Sequence, residues 1–213
     1  MIKSILFDMD GLLVDTEPVL CKAVINALEN QGITLTEKEY FSHWTRKGGS
    51  IKDFIKEKNI EVDIEKYRKD KNENYFSLIK NSPLLMGGAK DRVTKLSKFY
   101  ELGLVSSSSK DMIKMIIQTT KLQKYFSVIV ASEDVKREKP FPDSFLLAAQ
   151  LLNIKPEGCI VIEDAEKGII AAKTAGMKAI AIPNLYTKDN NFSEADLVLD
   201  NLSQLTKEII ESI

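Results

Sequence analysis

Histidine, cysteine and net charge are all scarce in this chain, and each scarcity removes a class of function. One histidine in 213 residues, His43, excludes a histidine-rich zinc site. The two cysteines, Cys21 and Cys159, lie far apart, one in a helical pattern and one opening a strand. They read as separate buried thiols, not as a disulfide or a metal pair. With 30 Lys and Arg against 31 Asp and Glu, the formal charge of −1 gives no pull toward nucleic acid or an anionic membrane. No apolar run reaches the roughly 18 residues of a membrane span, and no signal peptide opens the chain. A cytoplasmic protein without nucleic-acid or membrane partners is expected. What remains is ordinary: 44% hydrophobic residues, enough for one medium domain or a core domain with an insert.

The dominant pattern is an alternation of strands and helices. The apolar run Ile5-Leu6-Phe7 predicts a first strand, and Pro18 begins a helical stretch to about Asn30, closed by Gly32. From 34 to about 82 the composition changes to dense charge, with Phe41, Trp44, Phe54, Ile55, Tyr67, Tyr75 and Ile79 at helical intervals. This predicts a small all-helical insert. His43 reads as a surface or interface residue of it, and the run 56–71 as a charged helical face. Beyond Gly87-Gly88, strands are predicted at 101–106, 128–131, 159–162, 178–182 and 197–199. Helices fall at 89–98, 112–120, 143–152, 166–175 and from about 202, with Met112 and Met115 read as core. Ile160-Val161-Ile162 is apolar throughout, as in a strand covered on both faces. The fold class is therefore α/β: a doubly wound, Rossmann-like parallel sheet with an inserted helical unit.

Each predicted strand end carries polar residues. The first bears Asp8 and Asp10, whose carboxylates share a face in extended backbone and repel unless a cation stands between them. The second bears Ser107-Ser108-Ser109-Lys110, with Ser109 also placed to cap the next helix. The third leads to Lys139-Pro140-Phe141-Pro142-Asp143, and the fourth bears Glu163-Asp164. In a parallel sheet these ends meet at one crevice. Phosphoryl transfer needs such an inventory, because its catalysis is mostly charge stabilisation and in-line positioning. Magnesium takes hard oxygen ligands. One carboxylate can attack phosphorus, while another protonates the leaving alcohol and then activates water.

In order, Asp8-Met9-Asp10-Gly11, Ser107, Lys139-Pro140-Phe141-Pro142-Asp143 and Glu163-Asp164 resemble the four motifs of the haloacid dehalogenase superfamily across the whole chain. The resemblance implies Asp8 as nucleophile and Asp10 as general acid and base. It implies that Ser107 and the backbone N–H of Ser108 hold phosphate, and that Lys139 neutralises Asp8 and the phosphate. It implies Mg²⁺ bound by Asp8, the Asp10 carbonyl and Asp164, with Glu163 ligating or just behind; alternatively Glu163 merely opens a helix. The family's small helical cap corresponds to residues 16–82, and its core to 1–15 and 83–213. An aspartate at Asp10 matches the phosphoryl-transfer branch and not the dehalogenases.

Within the superfamily the chain looks like the β-phosphoglucomutase-like group. Lys71-Asn72-Glu73-Asn74-Tyr75 resembles the mutase cap helix, but Leu20, Ile51 and Ser77 stand where the mutase has basic residues, which argues against mutase chemistry. Asp15-Thr16-Glu17-Pro18 has the form of the group's phosphatases. The expectation is a monomeric, Mg²⁺-dependent phosphatase acting on a small phosphate ester, a sugar phosphate or related metabolite. The rivals are a sugar-phosphate mutase and a non-catalytic phospho-acceptor of the receiver type. Glu17, Trp44, Lys47 and Ser50 are the candidate substrate contacts of the cap. Trp44 reads first as cap core and only second as a substrate-stacking platform, and basic residues near Gly48-Gly49 are usually solvated.

Overall fold

Parallel pairing runs through the whole sheet. The computed structural model describes residues 1–46, 49–81 and 85–213. Its strands are β1 (Ser4–Phe7), β2 (Glu101–Val105), β3 (Val128–Val130), β4 (Cys159–Glu163), β5 (Lys178–Ala181) and β6 (Leu197–Val198). They lie in the order β3-β2-β1-β4-β5-β6, every neighbouring pair parallel. This bears out the α/β reading. Chain order reverses where β1 meets β4, and such a switch point leaves a crevice at the carboxyl ends of the strands. Register puts Phe7 level with Leu104 on one side and Ile162 on the other, so the residues that follow emerge side by side.

The chain divides into two compact units, Met1–Asp15 with Pro83–Ile213, and Thr16–Ser82. In the first, helices α5 (Ala89–Leu96), α6 (Lys110–Thr119), α7 (Asp143–Leu151), α8 (Glu166–Thr174) and α9 (Lys207–Glu211) accompany the strands. Ile5, Leu6 and Phe7 are wholly buried, as the central strand of a doubly covered sheet must be. Small residues let helices approach closely: Ala148 and Ala149 of α7 and Ala171 and Ala172 of α8 pack in one cluster with Leu6, Val161 and Ala179.

The second unit holds α1 (Glu17–Glu29), α2 (Glu37–Tyr40), a π-helical turn (Phe41–Arg46), α3 (Ile51–Lys58) and α4 (Ile64–Asn81). Its interior is built from Cys21, Val24, Ala27, Leu28, Leu35, Tyr40, Ile51, Phe54 and Tyr67. Capping boxes start α2 (Thr36 with Glu39) and α3 (Ser50 with Asp53), each satisfying N–H groups that a helix start leaves unpaired.

Several sequence expectations shift. The run 56–71 is not one helical face: Asn59 turns left-handed at φ 50° and ends α3, and α4 begins only at Ile64. Helix α6 starts at Lys110, capped by Ser109, two residues before the pattern suggested. Its buried stripe is Ile113, Ile116 and Ile117, with Met112 and Met115 only half-buried. His43 is buried, not superficial: Nδ1 lies 3.0 Å from Glu57 and Nε2 lies 3.0 Å from the Ser50 carbonyl. The final helical stretch is split into a 3₁₀ turn at Leu202–Gln204 and α9. Cys21 and Cys159 are both free and buried. Among the described residues, no helix is long and apolar enough to cross a membrane.

Candidate active site

Four segments distant in the sequence converge at the carboxyl end of the sheet. Asp8 follows β1, and its N–H donates to the Ile162 carbonyl of β4 at 3.0 Å, fixing it against that strand. Lys139, with its side chain almost fully buried, donates from Nζ to Asp8 Oδ1 at 2.5 Å, Glu163 Oε1 at 2.7 Å and the Val105 carbonyl at 3.1 Å. One ammonium thus ties the ends of β1, β2 and β4 together, and its Nζ lies 4.9 Å from the Phe145 ring centre. An ammonium has three donors, and all three are used.

Glu163 ends β4 and is 1% exposed, so its charge needs complete compensation. Oε1 takes the Lys139 bond, and Oε2 accepts the backbone N–H groups of Asp164 and Ala165, each at 3.0 Å. Gly168 permits this arrangement, since a Cβ there would fall 1.9 Å from Glu163 Oε1. Asp164 follows, with Oδ2 accepting from Asn184 Nδ2 at 2.8 Å. One carboxylate oxygen from each of Asp8, Glu163 and Asp164 lies within 4.8 Å of the others.

The electrostatics match that crowding. Burial pushes the Asp8 carboxyl up to about 7, with Glu163 and Asp10 adding to the rise and Lys139 opposing it. Burial, then Glu163 and Asp8, hold Asp164 well above the usual carboxylate range. Burial alone would depress Lys139, but the two carboxylates outweigh it and hold the ammonium above its ordinary value. One fixed cation faces more carboxylates than it can neutralise.

Asp10 is held from the end of β2. The hydroxyls of Ser106 and Ser108 both donate to its Oδ2, at 2.8 and 2.9 Å, and Ser106 Oγ also accepts the Ser108 N–H at 2.9 Å. Ser107 between them is exposed and makes no hydrogen bond with a described residue. Sequence reasoning picked Ser107 and the Ser108 backbone but missed the Ser106 hydroxyl. Four successive serines conceal which hydroxyl turns inward; only the strand register, which ends β2 at Val105, separates them. Asn184 was missed as well, for it follows β5 in a loop with no charged signal.

Residues 5–182 match the profile of the haloacid dehalogenase-like hydrolases. The chain belongs to that family. Among its haloacid dehalogenase-like relatives, hexitol phosphatase A of Escherichia coli (strain K12) is 33% identical over 205 residues, 96% of this chain and 93% of that protein. Two solved structures resemble this chain throughout. β-Phosphoglucomutase from Clostridium difficile shares 29% identity at a TM-score of 0.79, over 100% of this chain and 96% of that one. CbbY from Rhodobacter sphaeroides, in complex with xylulose-(1,5)bisphosphate, shares 26% identity at a TM-score of 0.83, over 96% of both chains. Phosphatases recur among these haloacid dehalogenase-like relatives, and the chain is an enzyme of that kind, a phosphoric monoester hydrolase.

The candidate substrate contacts lie within the helical unit. Glu17 Oε1 accepts the Tyr40 hydroxyl at 3.3 Å and also the Thr45 hydroxyl. Trp44 stacks on Tyr40 at 5.4 Å and tilts against Phe54 at 4.9 Å, so its ring is engaged by the unit's own core. Ser50 is the N-cap of α3: it accepts the Asp53 N–H and donates to Asp53 Oδ2 at 2.6 Å. Lys47 lies outside the described residues. Ser50→Ala is expected to cost about 1 kcal/mol of stability while leaving KM within about twofold. Thermal melts and steady-state kinetics check this; a several-fold rise in KM with an unchanged melting temperature would restore Ser50 as a substrate contact.

Proposed function

We propose that this enzyme is a Mg²⁺-dependent phosphatase that hydrolyses a small phosphate monoester, a sugar phosphate or related metabolite, through a phosphorylated Asp8. The observation that carries it is the buried triad of Asp8, Lys139 and Asp164 at the β1/β4 switch point, with Asp10 held a short way off by two hydroxyls.

The residues fit a hard divalent cation. Three carboxylates within 4.8 Å of one another are an oxygen-only donor set. Burial drives Asp8 and Asp164 toward protonation, the usual sign of a charge deficit that a cation would fill. Asp8, the Asp10 carbonyl and Asp164 would hold Mg²⁺. Glu163, both of whose oxygens already accept hydrogen bonds, would stand behind them and orient Lys139. Bound there, Mg²⁺ would offset the charge that builds on the transferring phosphoryl group.

The protein groups divide the remaining work. Lys139 holds Asp8 Oδ1, which leaves Oδ2 to attack phosphorus. A bond forms between Oδ2 and phosphorus as the ester P–O bond breaks, and Asp10 gives its proton to the departing alkoxide. Asp10 then takes a proton from water, whose oxygen attacks phosphorus and frees the Asp8 carboxylate and inorganic phosphate. The Ser107 hydroxyl is the group offered to the phosphate oxygens; the Ser108 N–H would turn to them from Ser106 Oγ, and Lys139, its three donors engaged, supplies positive charge beside them. The Ser106 and Ser108 hydroxyls hold Asp10 by one oxygen and leave the other to carry the proton.

A mutase would need cations to retain a doubly phosphorylated intermediate. Two of the positions that could supply them are apolar: Ile51 lies in the interior of the helical unit, and Leu20 packs against it. Incubation with Mg²⁺ and α- or β-glucose 1-phosphate separates the readings. Release of inorganic phosphate is expected; accumulation of glucose 6-phosphate without it would overturn the hydrolytic reading. A panel of sugar phosphates and nucleotides, scored by kcat/KM, then identifies the substrate class.

A further inference from the structure

Past the end of β5 the chain turns through Pro183-Asn184-Leu185-Tyr186-Thr187, and the Asn184 side chain is turned back toward β1 and β4. Its Nδ2 donates to the Gly11 carbonyl at 3.0 Å and to Asp164 Oδ2 at 2.8 Å. Its Oδ1 accepts the backbone N–H groups of Tyr186, at 2.7 Å, and Thr187, at 3.2 Å. The amide orientation follows from these partners, because a flip would set oxygen against two acceptors and NH₂ against two donors. Gly11 is shaped to the same contact. At φ +83° it adopts a conformation that L side chains rarely adopt, and a Cβ there would stand 2.6 Å from Asp164 Oδ2 and 2.7 Å from Asn184 Nδ2.

We infer that Asn184 is a positioning residue: it fixes Asp164 and the Asp10-Gly11 turn in one geometry and so sets the affinity of the site for its divalent cation. The inference rests on the reading of Asp164 as a metal ligand. The Asp164 carboxylate gives Oδ2 to Asn184 and keeps Oδ1 for a cation, and it cannot rotate without breaking that bond. The Gly11 carbonyl, tied to the same amide, holds the turn that carries the neighbouring Asp10 carbonyl. Outer partners of this sort commonly change metal affinity by about 10- to 100-fold when removed. Nothing charged is needed, so the residue adds order to an acidic site without adding to its repulsion.

The test titrates the full-length protein with Mg²⁺ by calorimetry and reads the rise in melting temperature in parallel. Asn184→Ala is expected to weaken Mg²⁺ binding by about 10-fold or more, with kcat recovering at saturating Mg²⁺. Thr187→Ala is the control: Thr187 Oγ1 accepts the Asn184 N–H at 3.0 Å, so this variant loosens the same loop without touching Asp164. It should stay within about threefold of wild type, because no partner of the carboxylate is lost. Asn184→Ser, which keeps a turn-forming side chain too short to bridge both acceptors, carries the test if the alanine variant does not fold. Wild-type affinity in the Asn184 variants, an equal loss in Thr187→Ala, or collapse of both Asn184 variants would each overturn the inference. Wild-type protein that binds no Mg²⁺ would instead sink the proposed function beneath it.

Discussion

Asp8→Asn should lose turnover by on the order of 10⁴-fold or more while making the metal-free protein more stable at neutral pH. The loss follows because an amide cannot attack phosphorus as a carboxylate does, and no other described carboxylate combines this position with a Lys139 bond except Glu163, whose oxygens are fully engaged. The gain follows from the sign of the Asp8 shift. Its folded value, about 7, lies above the ordinary 3.8, so the native state binds that proton more tightly than the unfolded chain. Stability from Asp8 is complete below about pH 4 and is lost as pH rises through 7. Asparagine cannot ionise and escapes that loss. The variant's advantage should therefore be negligible near pH 4 and grow to a few kcal/mol, roughly, above pH 7. Urea unfolding in a chelator at pH 4.5 and pH 8 measures it. A stability advantage that does not grow with pH would mean the acidic cluster is not under electrostatic load.

The contrast between what the sequence discloses and what it hides has a physical basis. Strand-helix alternation is legible because buried parallel strands are apolar on both faces, as Ile160-Val161-Ile162 and Ile5-Leu6-Phe7 are. Asp8, Lys139, Glu163 and Asp164 are legible because charged residues at strand ends carry a cost that needs a reason, and parallel topology then brings them together. Neutral polar groups carry no such flag. Ser106 looks like its three neighbours until β2 is known to end at Val105, and Asn184 looks like any loop asparagine until its amide is seen between two acceptors. The helical unit misleads in a different way. His43 is polar and sits in a charged segment, yet Glu57 and the Ser50 carbonyl pay its burial. Ser50 caps α3, and Trp44 packs on Tyr40 and Phe54 as its reading as cap core expects; a substrate role for either is left to kinetics.

Lys139→Met puts the charge argument to a harder trial, because the substitution keeps an apolar stem of similar length and removes only the ammonium. Asp8 and Glu163 would be left buried without their cation, and removing one partner of a buried ion pair costs about 3–5 kcal/mol. Turnover should fall as well, since Asp8 loses the bond that aims it and the phosphate loses a positive neighbour. The pH dependence separates charge from packing. Without Lys139 the pull that lowers the Asp8 carboxyl disappears, so its folded value rises further and the protonated form persists to higher pH. The deficit against wild type should then be small near pH 5 and large near pH 8, and millimolar Mg²⁺ should recover part of the stability but not the turnover. A deficit equal at both pH values would assign the loss to the pH-independent contacts of Nζ, with the Phe145 ring and the Val105 carbonyl. In that case Lys139 would be holding the strand ends together by those contacts, and the surplus of negative charge at this site would have to be relieved elsewhere.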